Sequence, residues 1–265
     1  MSLFHREFGY RLLDGSGLEI GALHQPALLP QRCVVSYCDA VTREEAVKFF
    51  PELKLDDLVP VQHIVDLDKD GLSAFTDGSY DFIVINHVIE HVANPIKVVA
   101  ELFRVVKPQG VVVISAPDKN FTFDKTRDLT SFGHLLEEYR QGISQVTDEH
   151  YLDFLRGVHP ELVQQGEERL RQAVESVRNR REHAHVWDSA TFEAFLHSSF
   201  DVLGIQAVKR FESGGWENSF EYFSVWEKEP IKLAGQSVVP IYTKLLAKIR
   251  RLLSRSRQLL RPSNG

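Results

Sequence analysis

The sequence YDFIVINHVIEHVANPIKVVAELFRVVKPQGVVVISAP, at residues 80–117, contains two apolar runs separated by a polar loop and a segment of mixed character. Within that segment, apolar residues recur at three- and four-residue spacing, which predicts an amphipathic helix over residues 94–106. Pro108 and Gly110 end the helix, and the apolar run at residues 111–115 is typical of a strand covered on both faces. The segment therefore predicts a strand–helix–strand unit whose first strand ends at the polar sequence NHVIEH.

Three shorter apolar runs precede this unit, and each ends at a glycine or is followed by an aspartate. Thr42 and Glu45 have the spacing of a capping box, which predicts a helix over residues 42–50. Alternating strands and helices predict an α/β fold with a Rossmann-like, doubly wound, mostly parallel sheet. Ligands bind such sheets at the carboxyl ends of the strands. The three shorter strands are predicted at residues 17–21, 33–37 and 62–65.

The chain changes character after the fifth predicted strand. Residues 117–187 are polar and show no strand pattern, which predicts a helical insert over the top of the sheet. Residues 202–208 and 220–225 are β-rich and flank a turn at Gly214 and Gly215. These two strands are predicted to pair as an antiparallel hairpin at the C-terminal edge of the sheet.

Charge divides the chain into two parts. Residues 1–230, predicted to form the single folded domain, hold 23 basic and 37 acidic residues, whereas residues 231–265 hold eight basic residues and no acidic ones. The acidic domain is not expected to bind nucleic acid, because phosphate neutralisation needs a basic face. Residues 241–261 predict a cationic amphipathic helix. Contact with an anionic membrane surface, docking on protein and self-association all stay open for this tail.

Composition and cysteine use indicate the cellular setting. With 43% hydrophobic and 26% charged residues, the chain is typical of a soluble globular protein. The N-terminus lacks the apolar core of a signal peptide, and no run is long enough to span a bilayer. Cys33 and Cys38 are five residues apart in one predicted strand, so they face opposite sides and cannot pair. We expect a cytoplasmic protein, with any membrane contact made by the tail at the inner face.

The strand-end residues Glu19, Gly21, Asp39 and Asp66 have a spacing that resembles class I S-adenosylmethionine-dependent methyltransferases. Glu19-Ile20-Gly21 looks like the first motif of that family, and LFRVVKPQG is similar to the family's turn before the fifth strand. The loop LEIGALHQP is similar to loops in methyltransferase-domain proteins associated with bacterial surface-glycan pathways. The resemblance covers roughly residues 12–117 and 188–227, a length expected for one domain.

This resemblance implies S-adenosylmethionine as cofactor. Asp39 matches the acidic residue that accepts both ribose hydroxyls, a task for which a carboxylate is suited because it takes two hydrogen bonds at once. Asp66 and the Leu67 backbone match the position that reads adenine, and Asn86 and His91 border the methionine end. The implied cofactor-binding set is Glu19, Gly21, His24, Asp39, Asp66, Leu67, Asn86 and His91.

Two departures from the family pattern leave alternatives. Leu23 stands where the family has its second glycine. This implies either a reshaped loop in which His24 or Gln25 touches the methionine part of the cofactor, or a non-catalytic Rossmann-like binding module. His87-x-x-Glu90-His91 fits the pattern of inverted zinc peptidases, which suggests a metal-dependent hydrolase. That motif belongs inside a long helix, whereas here it directly follows a strand, so no metal ligand is assigned.

The acceptor side is assigned to the insert. A neutral histidine could take the proton from an acceptor hydroxyl during methyl transfer, which favours methylation at oxygen of a small or glycan-linked acceptor. His183 and His185 alternate and face the same way in extended chain, and packing or a metal site are the other interpretations of this histidine-rich segment. The predicted acceptor-side residues are Asp118, Asp124, His134 and His185.

Overall fold

The computed structural model describes residues 3–230, which lie within one compact unit. Its seven strands form one sheet in the order β3-β2-β1-β4-β5-β7-β6. The first five strands run parallel, and β7 pairs antiparallel with both β5 and β6. The predicted Rossmann-like sheet with an antiparallel C-terminal edge is therefore confirmed. The strands are β1 Gly15–Ile20, β2 Cys33–Asp39, β3 His63–Ile64, β4 Tyr80–Asn86, β5 Val106–Pro117, β6 Ala207–Ser213 and β7 Glu221–Lys228.

Helices connect and cover the strands. The predicted capping box is confirmed, because Thr42 accepts from the Glu45 amide while the Glu45 side chain accepts from the Thr42 amide. Asn94 caps the helix after β4 by accepting from the Lys97 amide. The helices are α1 Phe4–Tyr10, α2 Arg43–Phe49, α3 Pro95–Val105, α4 Phe132–Gln141, α5 Asp148–Val158, α6 Pro160–Val163, α7 Glu167–Arg180, α8 Ser189–Leu203 and α9 Gly215–Asn218.

Strand β4 is buried on both faces, as its continuous apolar run predicts. Ile83 and Ile85 enter the larger core cluster, which also holds residues of α3 and α8. Phe82 and Val84 enter a smaller cluster on the opposite face, where Tyr10 at the end of α1 packs beside them. Since side chains alternate along a strand, one apolar run supplies two core layers.

The insert is helical, as predicted, and α4 to α7 come from it. It has a small apolar cluster of its own, which reaches the sheet-proximal loop at Ala93 and the returning chain at Ala184. The backbone carbonyl of Glu90 accepts from the amides of Ala184 and His185 at 2.8 and 3.0 Å. These two hydrogen bonds join the end of the insert to the loop that follows β4.

The boundary of the sixth strand was predicted wrongly. Residues 202 and 203 belong to α8, which ends at Gly204 in the left-handed conformation with φ of 66°. Strand β6 therefore begins only at Ala207. The predicted turn at Gly214 and Gly215 also differs, because Gly215 begins the short helix α9. The apolar Val202 and Leu203 resemble a strand start, but the glycine cap that follows them marks a helix end.

Several further predictions concern the chain outside the sheet. Both cysteines are free, and Cys38 is buried while Cys33 is half-buried. Within residues 3–230, no helix has the length and apolar character needed to cross a membrane. The basic tail at residues 241–261 lies outside the described residues, so its role in membrane or protein contact stays a prediction.

Candidate active site

A cavity of about 880 Å³ lies at the carboxyl ends of β1 to β4. Helical-insert residues from two segments, 144–146 and 178–182, form its opposite wall together with Tyr151. The cavity thus occupies the edge where ligands bind in open α/β sheets. Of the predicted cofactor-binding residues, it is lined by Gly21, Asp39, Asp66, Leu67 and His91.

The loop after β1 needs its first glycine. Gly21 has φ of 71°, and a Cβ on it would lie 2.4 Å from Cγ2 of Val88 in the β4 loop. Leu23, at the position of the family's second glycine, keeps a left-handed φ of 46° and lines the cavity. Its carbonyl accepts from the Val59 amide at 2.9 Å. The loop therefore retains a glycine-like backbone while presenting a leucine side chain.

Asp39 lies at the end of β2 and faces the cavity. One carboxylate oxygen accepts from the Ala40 amide at 2.7 Å. Burial raises the pKa of Asp39, although backbone amides and Arg181 act against that rise. Its position and its fixed orientation fit a carboxylate that accepts hydrogen bonds from a ligand.

Asp66 lies in the loop after β3 and forms an ion pair across the cavity. The Arg181 guanidinium donates to Asp66 Oδ2 at 2.6 Å. Burial by itself would raise the pKa of Asp66, but the hydrogen bond and charge of Arg181 outweigh burial and lower that pKa overall. The Asp66 carboxylate is therefore ionised and already paired with the insert.

Three predicted cofactor residues do not line the cavity. Glu19 is buried, and its Oε1 accepts from the Ala27 amide at 2.8 Å. His24 is exposed and contacts Gln25. The Asn86 amide donates to the Tyr10 hydroxyl at 2.9 Å. These contacts shape the loops around the cavity, and a direct role in cofactor binding stays a prediction for all three.

The four predicted acceptor-side residues also lie outside the cavity lining. Asp118 is 1% exposed and accepts from the amide and hydroxyl of Ser189 at 2.9 and 2.6 Å. Asp124 is buried between Arg127 and His183. Asp118 thus joins the end of β5 to the start of α8, and Asp124 joins two residues within the insert.

The two predicted acceptor-side histidines are close to each other. His185 is 1% exposed, and its Nε2 donates to the Val92 carbonyl at 3.0 Å. His134 is exposed at the start of α4, with its ring centroid 6.5 Å from that of His185. The structure therefore brings these two together around Glu138, beyond the residues that line the cavity.

A single turn of 3-10 helix at Ile89–His91 follows β4. It contains Glu90 and His91, and His87 lies just before it. This placement differs from the long helix that an inverted zinc peptidase uses. His87 and His91 line the cavity, while Glu90 is 1% exposed beneath them. Burial lowers the pKa of His91, so its ring is neutral at neutral pH.

The sequence model of a family described as "Methyltransferase domain" matches residues 2–199. The chain belongs to this family. It is a class I S-adenosylmethionine-dependent methyltransferase, and the prediction made from its strand-end motifs is confirmed. No curated protein sequence matches the chain.

Solved structures with a similar fold include several methyltransferases. The CurJ carbon methyltransferase is 15% identical with a TM-score of 0.41 over 82% of this chain, which spans only 49% of that protein. A possible histamine N-methyltransferase from Thermotoga maritima is 14% identical with a TM-score of 0.44, over 86% of this chain and 89% of that one. The N-methyltransferase NodS from Bradyrhizobium japonicum, in complex with S-adenosylhomocysteine, is 14% identical with a TM-score of 0.41 over the same shares.

The cavity of this methyltransferase fits S-adenosylmethionine in size and in polarity. Its volume lies within the range of about 300–1,000 Å³ typical of ligand sites. Apolar side chains such as Val65 and Leu67 flank the carboxylate of Asp39, a combination that suits an adenine beside a ribose. Gly21, Asp39, Asp66 and Leu67 would hold the cofactor's nucleoside, with His91 toward its methionine end.

Sequence reasoning missed the contribution of the insert to this cavity. Arg181 and Tyr151 line it, although both lie in the polar region where no motif points to a ligand. Arg181 directly follows the last residue of α7 and adopts a φ of 51°. The charged sequence RNRRE does not distinguish this arginine from its neighbours, so only the folded chain identifies it.

Proposed function

We propose that this methyltransferase methylates an oxygen atom of a small or glycan-linked acceptor. The observation that carries the proposal is the cavity at the ends of β1 to β4, where Asp39 and Asp66 face the two histidines of the β4 loop. When bound, S-adenosylmethionine supplies an electrophilic methyl group on a sulfonium centre. The task of this chain is then to position the acceptor and to exclude water.

The residues divide this task between the two walls of the cavity. On the sheet side, Asp39 accepts hydrogen bonds from a ligand. The half-buried Leu23, in the loop after β1, also lines the cavity. On the insert side, Arg181 lines the cavity and donates a hydrogen bond to Asp66. His87 and His91 also line the cavity and contribute to its polar surface. The acceptor-side roles of Asp118, Asp124, His134 and His185 stay predictions.

Calorimetric titration with S-adenosylhomocysteine tests the cofactor side. We expect saturable binding to the full chain and a loss of about 1.5–3 kcal/mol in Asp39→Ala, the usual value of a hydrogen bond to a charged group. Asp56→Ala is the matched control, because it removes an exposed carboxylate from the short helical turn at Leu55–Asp57. If the wild-type chain does not bind S-adenosylhomocysteine at millimolar concentration, the proposed methyltransferase activity is contradicted.

The acceptor atom needs a separate experiment. The full chain is incubated with S-adenosylmethionine carrying a ¹³C-labelled methyl group and with a panel of sugars, sugar lipids and hydroxylated small molecules. NMR of the products then distinguishes methyl groups on oxygen, nitrogen and carbon. We expect an O-methyl product, and an N- or C-methyl product would overturn the oxygen assignment while leaving the methyltransferase identity intact.

A further inference from the structure

Three histidine rings converge on the buried carboxylate of Glu90. His91 Nε2 lies 3.7 Å from Glu90 Oε1, and His87 Nδ1 and His183 Nε2 each lie 3.9 Å from the same oxygen. These distances exceed those of a hydrogen bond, which are typically about 2.7–3.2 Å. Two of the histidines follow β4, whereas His183 comes from the end of the insert.

The outer nitrogen of each of these rings is held by a fixed acceptor. His91 Nδ1 lies 2.5 Å from the Arg181 carbonyl oxygen. His183 Nδ1 lies 2.6 Å from Asp124, and His87 Nε2 lies 2.9 Å from Glu221. An acceptor at the outer nitrogen places the proton there, so a neutral ring turns its lone pair toward Glu90. This is the arrangement by which proteins orient metal-binding histidines.

The buried carboxylate of Glu90 receives, from the part of the chain that the structure describes, no hydrogen bond that would offset its loss of hydration. Glu90 is 1% exposed, and neither of its carboxylate oxygens has a hydrogen-bond partner within residues 3–230. A buried carboxylate normally receives hydrogen bonds or pairs with a cation, because its desolvation otherwise costs several kcal/mol. The inner nitrogens of the three neutral histidine rings also present lone pairs to this carboxylate. Negative charge and lone pairs repel one another, so this arrangement is stabilised only when a positive charge lies among them.

We propose that Glu90, His91 and His183 bind a divalent transition-metal ion of the zinc type, with His87 as a fourth ligand. The ligand atoms of the first three residues all lie within 4.8 Å of one another. Two ligand atoms of a tetrahedral zinc site are separated by about 3.4 Å, given metal–ligand distances of about 2.0–2.1 Å. The three ring nitrogens lie 3.7–3.9 Å from Glu90 Oε1, so each of these distances exceeds that separation by only a few tenths of an ångström.

The chemistry of the donor set favours zinc over the alkaline-earth ions. Three imidazoles and one carboxylate suit zinc and its neighbours, whereas magnesium and calcium prefer oxygen ligands. Asp124 accepts at Nδ1 of His183, which leaves Nε2 of that ring free to bind the ion.

A second histidine cluster provides an internal comparison. Glu138 Oε1 lies 2.8 Å from His150 Nε2 and 3.2 Å from His134 Nε2. A hydrogen bond to His150 thus accounts for Oε1 of this carboxylate, in contrast to Glu90, whereas Oε2 of Glu138 has no partner within residues 3–230. Because the ligand atoms of His134, Glu138 and His150 also lie within 4.8 Å of one another, His150→Gln serves as the control that shows whether zinc binds at this second cluster instead.

The site adjoins the cofactor cavity, since His87 and His91 contribute to both. The sequence pattern His87-x-x-Glu90-His91 indicated three of the four residues, but no metal ligand was assigned, because the motif lacks a helix around it. The missing member was His183, which lies 92 residues beyond His91 in the chain. The proposal concerns metal binding alone and does not rest on the acceptor or on the methylated atom.

The experiment uses the full chain, stripped of metal with a chelator and then titrated with zinc chloride. Elemental analysis after gel filtration gives the stoichiometry, and X-ray absorption on the zinc-loaded wild-type protein identifies the ligand atoms without any substitution. Glu90→Gln, His183→Gln and the control His150→Gln are titrated in parallel. Circular dichroism and S-adenosylhomocysteine binding report whether each variant is folded.

We expect one tightly bound zinc per chain, an absorption spectrum with imidazole and oxygen ligands, and binding at least about a hundredfold weaker in Glu90→Gln and His183→Gln. His150→Gln should bind zinc as the wild type does. Absence of zinc binding at micromolar metal, sulfur ligands from the cysteines, or unchanged binding by the folded Glu90→Gln variant would each overturn the proposal.

Discussion

The Arg181 guanidinium donates to the Asp66 carboxylate at 2.6 Å across the cavity and so joins the insert to the end of β3. The backbone carbonyl of the same residue accepts a hydrogen bond from His91. Arg181 therefore contacts both the loop after β3 and the loop after β4. Its left-handed backbone, with φ of 51°, turns the chain from α7 back toward the sheet. Arg181 thus couples the position of the insert to the residues that face the cofactor.

Replacing Arg181 by alanine should weaken S-adenosylhomocysteine binding about tenfold, equivalent to about 1.4 kcal/mol. The insert wall would no longer be fixed to Asp66, and the ligand would become more exposed to water. Arg171→Ala is the matched control, because that arginine pairs with Glu168 on the exposed face of α7, where such pairs contribute little. Calorimetry measures both variants. Tighter binding by Arg181→Ala would show instead that Arg181 competes with the cofactor for Asp66.

At Leu23, glycine should stabilise the protein relative to alanine, which is the reverse of their order within a helix. Its φ of 46° is unfavourable for any residue with a Cβ, so Leu23→Gly should be more stable than Leu23→Ala by about 1 kcal/mol. At the exposed Arg169 in α7, glycine should instead be less stable than alanine by about 1 kcal/mol.

Urea unfolding of these four variants compares the two pairs. The prediction fails when Leu23→Gly is the less stable of its pair, which would mean that the loop relaxes to a negative φ. Cofactor affinity of the two Leu23 variants shows separately whether the leucine side chain restricts the cavity.

The sheet and the cofactor-side positions follow from local sequence patterns. Apolar runs define β1, β4 and β5, and parallel topology brings Gly21, Asp39 and Asp66 to one edge regardless of how the insert folds. These residues could therefore be predicted from the sequence. Their partners could not, because Arg181 and His183 reach the sheet only through the packing of the insert's own apolar cluster.

The sequence pattern also does not show which buried carboxylates accept hydrogen bonds in the folded chain. Asp118 and Glu90 are both acidic residues after apolar strands, yet the Asp118 carboxylate accepts hydrogen bonds from Ser189 and Asn120, whereas the Glu90 carboxylate accepts none within residues 3–230. Burial and the direction of neighbouring donors decide this difference. The sequence thus placed polar residues at the strand ends but could not rank them by their chemistry.

Glu221 is expected to be essential for folding. Its side chain is fully buried and receives hydrogen bonds from Arg6 at 2.6 and 2.7 Å, joining α1 to β7. Glu221→Gln removes the charge that compensates the buried guanidinium, so the free energy of unfolding should fall by about 3–5 kcal/mol. Urea denaturation measures the change. A loss below about 1 kcal/mol, the value of a surface pair such as Arg210–Glu227, would contradict a buried ion pair.

Glu19 should make stability fall as pH rises. Burial raises the pKa of Glu19 to about 7 in the folded protein, against an ordinary value of 4.5 in the unfolded chain. Below pH 4.5 both states are protonated and no penalty exists. Between the two pKa values the unfolded chain ionises first, so stability decreases with rising pH by about 3 kcal/mol in total, and it levels off above the folded pKa.

Glu19→Gln isolates this effect, because glutamine keeps an oxygen to accept from the Ala27 amide but cannot ionise. The difference in unfolding free energy between variant and wild type should grow by about 3 kcal/mol from pH 4.5 to pH 8 in favour of the variant. Urea unfolding of both proteins at matched pH values gives that difference, since their other ionisable groups are shared. A difference that stays constant across this range would mean that Glu19 ionises at its ordinary pKa, and hence that water reaches the carboxylate beneath the loop after β1.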